Sequence, residues 1–157
     1  RYTKKCILQP KKTANTIKNA FMKYAIERKE EYATLTLEEE NLNSLKAPDL
    51  KSEFVMLKGM GIRNLILNLE KVKYVDSSGL SAILAGNRLW EDDGRSFVLT
   101  GIAHPTVKML ISISRLDTIL NIAPTMAEAE KRVMLSALAE EVSGEEESES
   151  SDEGDEE

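Results

Sequence analysis

The chain has 157 residues, enough for one domain with tails, and its 41% hydrophobic and 31% charged residues are the proportions of a globular domain. It contains no run of about 18 apolar residues, which excludes a membrane-spanning helix, and its single cysteine, Cys6, excludes an internal disulfide or a cysteine metal cluster. The first residues lack the apolar stretch of a secretory signal, so we expect a cytoplasmic protein.

The formal net charge of −6 is spread unevenly along the chain. Residues 1–21 carry six basic residues and no acid, residues 139–157 carry eleven acids and no base, and residues 22–138 are nearly neutral. We interpret 1–21 as a translated upstream or vector-derived extension outside the fold, the alternative being a basic arm for nucleic acid or lipid. The acidic tail has almost nothing apolar to bury and is expected to be disordered. A near-neutral domain gives no support for direct binding to nucleic acid.

The first half of the domain reads as a hairpin, a helix and a buried strand. Short, partly alternating runs at Tyr24–Arg28 and Tyr32–Leu37 predict a β-hairpin. A polar loop over 38–44 follows, and a helix begins near Ala47–Pro48, because proline suits the first turn of a helix. The nearly continuous apolar run Ile62–Leu69 predicts a central strand that is covered on both faces.

The second half continues the alternation of strands and helices. It predicts a helix from the turn at 76–79 to Gly94, a strand at Arg95–Thr100, a helix from Pro105, a short edge strand at Thr118–Ile122 and a last helix from Thr125 to about Leu138. The order is therefore β-β-α-β-α-β-α-β-α. This alternation predicts an α/β fold with a mixed sheet of about five strands and about four helices.

The segment Asp76-Ser77-Ser78-Gly79 stands where a strand-like run gives way to a long helix-like run. Asp and Ser are good N-cap residues, because their side-chain oxygens accept hydrogen bonds from the unpaired N–H groups of the first turn. A hydroxyl here lies at the positive end of a helix dipole, where a phosphate meets free N–H donors. The residues alone favour simple N-capping, which contributes about 1 kcal/mol.

The run Asn68-Leu69-Glu70, followed by Asp76-Ser77-Ser78-Gly79-Leu80 and Ile83-Leu84, resembles the STAS domain of bacterial anti-sigma factor antagonists. The resemblance extends over roughly Met22 to Leu135. It implies a STAS-like fold and a non-enzymatic phosphoprotein, an anti-anti-sigma factor that regulates transcription by protein–protein interaction. In that family a partner anti-sigma factor with serine kinase activity phosphorylates the position of Ser77, and a serine phosphatase is a further partner. A STAS subunit of another assembly, such as a lipid-transport or stress-signalling complex, is the alternative.

No cofactor is expected, because the glycines form no phosphate-binding loop and ATP would belong to the kinase. The helix after Ser77 has a wider apolar surface than packing on one sheet face requires. Its small-residue flank is either buried between neighbours or open to a partner, and the resemblance favours the partner. We expect the partner-binding residues Asn43, Ser44, Asp76, Ser78, Gly79, Ser81, Ala82 and Ala85. Ser78 is left open between cap and contact, and Asn43 stands where related antagonists usually carry an Asp.

A serine hydrolase is the competing enzymatic interpretation. Its nucleophile needs a base, and the only histidine, His104, precedes Pro105 at a predicted helix start. The turn also lacks the Gly-x-Ser-x-Gly pattern of a nucleophile elbow, so we interpret His104 as a loop or capping residue. Asp76 has no second acid at metal-ligand spacing, and we expect it to fix the turn and orient the Ser77 hydroxyl.

Overall fold

The computed structural model describes residues 22–150 of the chain, with side chains described as far as Val142. The strands in this part are β1 (Tyr24–Arg28), β2 (Ala33–Leu37), β3 (Asn41–Leu42), β4 (Leu65–Asn68), β5 (Tyr74–Val75), β6 (Phe97–Thr100) and β7 (Asn121–Ile122). The helices are α1 (Ala47–Gly59), α2 (Ser77–Glu91), α3 (Pro105–Ile113) and α4 (Met126–Ser150), with a 3-10 turn at Leu116–Thr118. The predicted extension, 1–21, lies outside the described residues.

Five strands form one mixed sheet in the order β1-β2-β4-β6-β7. β1 is antiparallel to β2, as the predicted hairpin requires, and all other neighbours are parallel. Leu35, Leu67 and Leu99 lie opposite one another on three adjacent strands, and none of them is exposed. All residues of β4 and β6 are buried, because these parallel strands carry helices on both faces. The predicted α/β class and the mixed sheet with four helices are confirmed.

Successive residues of the central strands point to opposite faces of the sheet, and different helices cover each face. Leu65 and Leu67 belong to the larger apolar core under α1, α2 and α3, whereas Ile66 belongs to a smaller cluster under α4. In the larger core, three rings meet at centroid distances between 5.4 and 6.0 Å: Phe54, Trp90 and Phe97. α1 follows β2 and α2 follows β4, with only the short strands β3 and β5 between, so both helices begin at the carboxyl edge of the parallel strands.

Two short strands were not predicted. β3 and β5 pair in parallel as a separate two-stranded sheet, with Asn41 opposite Tyr74 and Leu42 opposite Val75. The predicted loop over 38–44 therefore contains a strand, and the predicted element order lacks both members of this pair. A strand of two residues leaves no alternation in the sequence, so only the pairing of two distant segments defines it. This small sheet fixes the backbone just before α2.

The last helix, α4, is longer than predicted. It continues past Leu138 and ends at Ser150. The expected disorder of the acidic tail stays a prediction. Glutamate is a good helix former, and an ion pair between Arg95 and Glu140 holds this part of α4 beside the start of β6. The predicted domain boundaries after residues 21 and 138 stay predictions, and residues 151–157 lie outside the described part of the chain. Across the described part of the chain, no helix combines the length and apolar character needed to span a bilayer.

Candidate functional site

The N-terminus of α2 forms from the segment that the sequence marks as a strand-to-helix turn. Asp76 is its N-cap residue in extended backbone conformation, and its Oδ1 accepts a hydrogen bond from the Gly79 N–H at 2.9 Å. Ser77 is the first residue of the helix and is exposed, whereas Ser78 is half-buried. The carboxylate of Asp76 therefore makes the cap, and Ser77 stands at the surface at the positive end of the helix dipole.

Asp76 also ties this turn to a second segment. Its other oxygen, Oδ2, accepts a hydrogen bond from the Ser44 N–H at 3.2 Å, and its own N–H donates to the Leu42 carbonyl oxygen at 3.2 Å. Gly79 packs so closely against β3 that a Cβ there would lie 2.5 Å from the Leu42 carbonyl oxygen and 2.7 Å from Val75 Cγ1. Only glycine fits this position without a shift of the backbone, and both carboxylate oxygens of Asp76 are occupied.

The turn from Asn43 to Lys46 leads directly into α1. The Asn43 Oδ1 accepts a hydrogen bond from the Leu45 N–H at 3.1 Å, and the Asn43 carbonyl oxygen accepts from the N–H groups of Lys46 and Ala47. This is the usual local role of an asparagine side chain at a turn. The side chain of Asn43 thus shapes its own turn, and the backbone of Ser44 is the part that reaches Asp76.

A shallow cavity of about 280 Å³ opens between the N-terminal ends of α1 and α2. We call it the serine groove, and its lining residues are Ser44, Ala47, Pro48, Lys51, Ser77, Ser78 and Ser81. The lining consists mostly of small and hydroxyl-bearing side chains, and Lys51 carries its only charge. Both helices direct the positive ends of their dipoles toward this edge, where the Asp76 carboxylate already accepts the Gly79 and Ser44 N–H groups.

Four of the predicted residues lie together in the serine groove: Ser44, Ser77, Ser78 and Ser81. Because Asp76 supplies the cap, Ser78 is released from that role and lines the groove instead. The contribution of α1 to the groove was not predicted, and it comes from Ala47, Pro48 and Lys51. Nothing in the sequence distinguishes Lys51 from other exposed lysines, since only the approach of α1 to α2 brings it to this site.

The other predicted residues do not line the groove. Asp76 and Gly79 form the turn beneath it, whereas Ala82 and Ala85 lie farther along α2. Ala85 is half-buried farther along α2. Ala82 has no exposed surface, so its predicted contact with a partner is wrong. Its flank of α2 packs against neighbours, as shown at Gly86, where a Cβ would lie 2.6 Å from the ring of Phe54. Ala82 and Gly86 therefore serve close helix packing, which is the interpretation that the sequence left as the alternative.

His104 has the capping role that the sequence predicts for it. It is the N-cap residue of α3, and its Nδ1 accepts a hydrogen bond from the Thr106 N–H at 3.3 Å. Within residues 22–142 no hydrogen bond joins His104 to Ser77. Over the same residues, no group of three or more His, Cys, Asp or Glu side chains is placed to hold a metal ion.

Comparison with known proteins agrees with this architecture. The family model of the STAS domain matches residues 11–129, more than half of the chain. The crystal structure of a candidate anti-sigma factor antagonist from Thermotoga maritima is 24% identical, with a TM-score of 0.63 over 71% of this chain and 94% of that chain. An anti-sigma factor antagonist from Mycobacterium paratuberculosis is 18% identical, with a TM-score of 0.63 over 72% and 94%. The phosphorylated form of the Bacillus cell fate determinant SpoIIAA is 23% identical, with a TM-score of 0.54 over 70% and 98%. The chain therefore belongs to the STAS domain family and shares its fold with anti-sigma factor antagonists.

Proposed function

We propose that this protein is an anti-sigma factor antagonist that binds a partner anti-sigma factor with serine kinase activity and is released by phosphorylation of Ser77. The observation that carries the proposal is the exposure of Ser77 at the first position of α2, in a groove shared with three other serines. SpoIIAA, a structural neighbour, is described in a phosphorylated and an unphosphorylated form. The cytoplasmic location expected from the sequence is compatible with this role.

The local geometry supports phosphorylation without loss of the fold. The cap of α2 depends on the Asp76 carboxylate, and within residues 22–142 no hydrogen bond engages the Ser77 hydroxyl. Modification of Ser77 therefore breaks no contact that holds the turn. A phosphate adds about −1.5 to −2 charges at pH 7, and a helix N-terminus stabilises negative charge through its dipole and free N–H groups.

A partner seated on the serine groove would respond differently to the same charge. Its surface would be complementary to small neutral hydroxyls, and phosphorylation would confront it with a bulky dianion that must be desolvated or repelled. Binding would weaken through local electrostatics and steric conflict, so no large conformational change is required. A serine phosphatase would restore the binding form.

A role without catalysis by this chain is supported by the surroundings of Ser77. A serine nucleophile requires a base within hydrogen-bond reach, and the Nδ1 atom of His104 is engaged with Thr106 at the start of α3. The carboxylate of Asp76 is engaged with Gly79 and Ser44. In this scheme ATP and the catalytic groups belong to the kinase.

The test begins with capture of the partner from native lysate by wild type and Ser77→Asp, followed by calorimetry with the purified partner. We expect Ser77→Ala to bind like wild type, and Ser77→Asp and the phosphorylated protein to bind at least about tenfold more weakly. Thr106→Asp is the matched control, because Thr106 is also an exposed hydroxyl residue in the first turn of a helix, and it should bind normally. Equal affinity of phosphorylated and unmodified protein would show that Ser77 has no switching role.

A further inference from the structure

The strands β6 and β7 are parallel neighbours in the main sheet, but the chain leaves them toward opposite faces. After β6 it enters α3, whose Val107 and Ile111 belong to the larger core. After β7 it enters α4, whose Ala129 and Val133 belong to the smaller cluster on the other face. The two connections therefore diverge at the carboxyl edge of the sheet. In open α/β sheets such a divergence leaves a crevice, and small ligands bind there.

A cavity of about 330 Å³ lies at this divergence, and we call it the α3 crevice. Ile102, after β6, and Ala123 and Pro124, after β7, line it, so both diverging connections border the same space. Residues of α3 and of the following 3-10 turn complete the lining. Pockets for small ligands span about 300–1,000 Å³, so this volume suits a ligand at the small end of that range.

The floor of the α3 crevice is apolar. Ile111 and Ala123 are buried, and Ile102 and Ile122 are half-buried beside them. Both half-buried isoleucines also pack against the larger core, which holds them in place. A ligand in the crevice therefore gains affinity by removing apolar surface from water on a floor that is already formed.

The polar lining of the α3 crevice carries both signs of charge. Lys108 and Ser112 are four residues apart on α3, so they lie on the same helix face, and Asp117 follows in the 3-10 turn. All three are exposed, and within residues 22–142 no hydrogen bond or ion pair engages the Lys108 ammonium group or the Asp117 carboxylate. An ammonium group and a carboxylate that are not paired with each other are complementary to a ligand that carries a charge of each sign.

We propose that the α3 crevice binds a small zwitterion with an apolar body, namely a free apolar amino acid such as leucine or phenylalanine. The ligand carboxylate bonds the Lys108 ammonium group and the Ser112 hydroxyl, and the ligand ammonium group bonds the Asp117 carboxylate. Its side chain lies on the isoleucine floor. The α3 crevice and the serine groove share no lining residue, so this inference is independent of the proposed function.

Titration of the full chain, followed by the NMR shifts of its backbone amides, tests the site and its ligand class. The probes are L-leucine, L-isoleucine and L-phenylalanine, together with 4-methylpentanoate, which lacks the ammonium group of leucine, and L-leucinamide, which lacks its carboxylate. We expect saturable shifts at Ser112, Asp117 and Ala123 with at least one amino acid, and none at Ser44 and Ser81 in the serine groove. Each analogue of a binding amino acid that lacks one charge should bind at least about tenfold more weakly.

Two results of this titration overturn the inference. One is the absence of saturable shifts at the α3 crevice with all three amino acids. The other is an affinity for 4-methylpentanoate equal to that for leucine, which identifies a site for simple carboxylates in which Asp117 has no part.

Variants of the two charged residues test which ligand group each one binds. Lys108→Met should weaken leucine binding about tenfold and remove the preference for leucine over leucinamide, whereas Asp117→Asn should remove the preference for leucine over 4-methylpentanoate. Lys131→Met on α4 and Asp92→Asn at the end of α2 make the same changes at exposed positions elsewhere and should bind like wild type. All four variants alter exposed side chains and should keep the wild-type melting temperature. Wild-type affinity for leucine in both Lys108→Met and Asp117→Asn rules out the α3 crevice as the site.

Discussion

The N-termini of α2 and α3 both stand at the carboxyl edge of the main sheet, and they are built differently. At α2 the cap is Asp76, the first residue is Ser77 and the third is Gly79, which packs against the backbone of β3. At α3 the cap is His104, the first residue is Pro105 and the third is the buried Val107. Both ends have a favourable dipole, so the dipole alone cannot distinguish them.

The difference lies in what each cap is tied to. Among residues 22–142, the His104 side chain bonds only the Thr106 N–H two residues away, whereas the Asp76 carboxylate links α2 to the segment that starts α1. At α2 a hydroxyl occupies the first helical position, while at α3 a proline ring occupies it. The site proposed for the partner thus combines a helix end with a second segment and a hydroxyl, and the end of α3 has only the first of these.

The largest expected effect comes from the third helical position. Gly79→Ala should lower the free energy of unfolding by about 1–3 kcal/mol, because the added Cβ would lie 2.5 Å from the Leu42 carbonyl oxygen and the backbone would have to shift. Gly59→Ala is the matched control near the end of α1, where a Cβ meets nothing within 4 Å, and it should be neutral or stabilising. Urea denaturation of both variants measures the difference. Equal stability of the two would mean that α2 and β3 do not approach this closely.

A smaller effect is expected from the cap residue. Asp76→Ala should cost about 1–2 kcal/mol by removing the acceptor of the Gly79 N–H and of the Ser44 N–H, whereas His104→Ala should cost less, since it removes a single acceptor whose bond is 3.3 Å long. Asp76→Asn keeps an oxygen for the Gly79 N–H and loses the acceptor for Ser44. Amide hydrogen exchange at Ser44 should therefore speed up in both Asp76 variants and stay unchanged in His104→Ala. Unchanged protection of Ser44 in Asp76→Ala would contradict the link between the two segments.

The smallest effect on stability is expected from Ser77→Pro, which gives α2 the first residue that α3 already has. Proline suits this position, and the preceding residue, Asp76, has φ −96° and ψ −176°, an extended conformation that a following proline favours. The free energy of unfolding should therefore change by less than about 1 kcal/mol. The variant cannot accept phosphate, so its binding should resist kinase and ATP. Unfolding of Ser77→Pro would show that the N–H of Ser77 has a structural partner.

The apolar runs predicted the strands of the main sheet and their order in the chain, because burial on both faces of a parallel strand leaves a strong local signal. Pro48 predicted the start of α1 at Ala47, because proline suits the first turn of a helix. The Asp-Ser-Ser-Gly turn was recognisable because capping depends on a few neighbouring residues. The strands β3 and β5 could not be predicted, because each has two residues and exists only through pairing with the other. Ala82 was misassigned because a small residue on a helix is compatible with both a partner surface and close packing, and its neighbours decide which.

The sequence by itself determined that Ser77 begins a helix after a strand, since propensity and N-capping act over a few residues. Tertiary structure alone decided what surrounds that hydroxyl. The parallel crossover of α1 and α2 on one face of the sheet brings Ser44, Pro48 and Lys51 to Ser77 and Ser81. Those segments are far apart in the chain, and the packing of the common core, not any local preference, sets the distance between them.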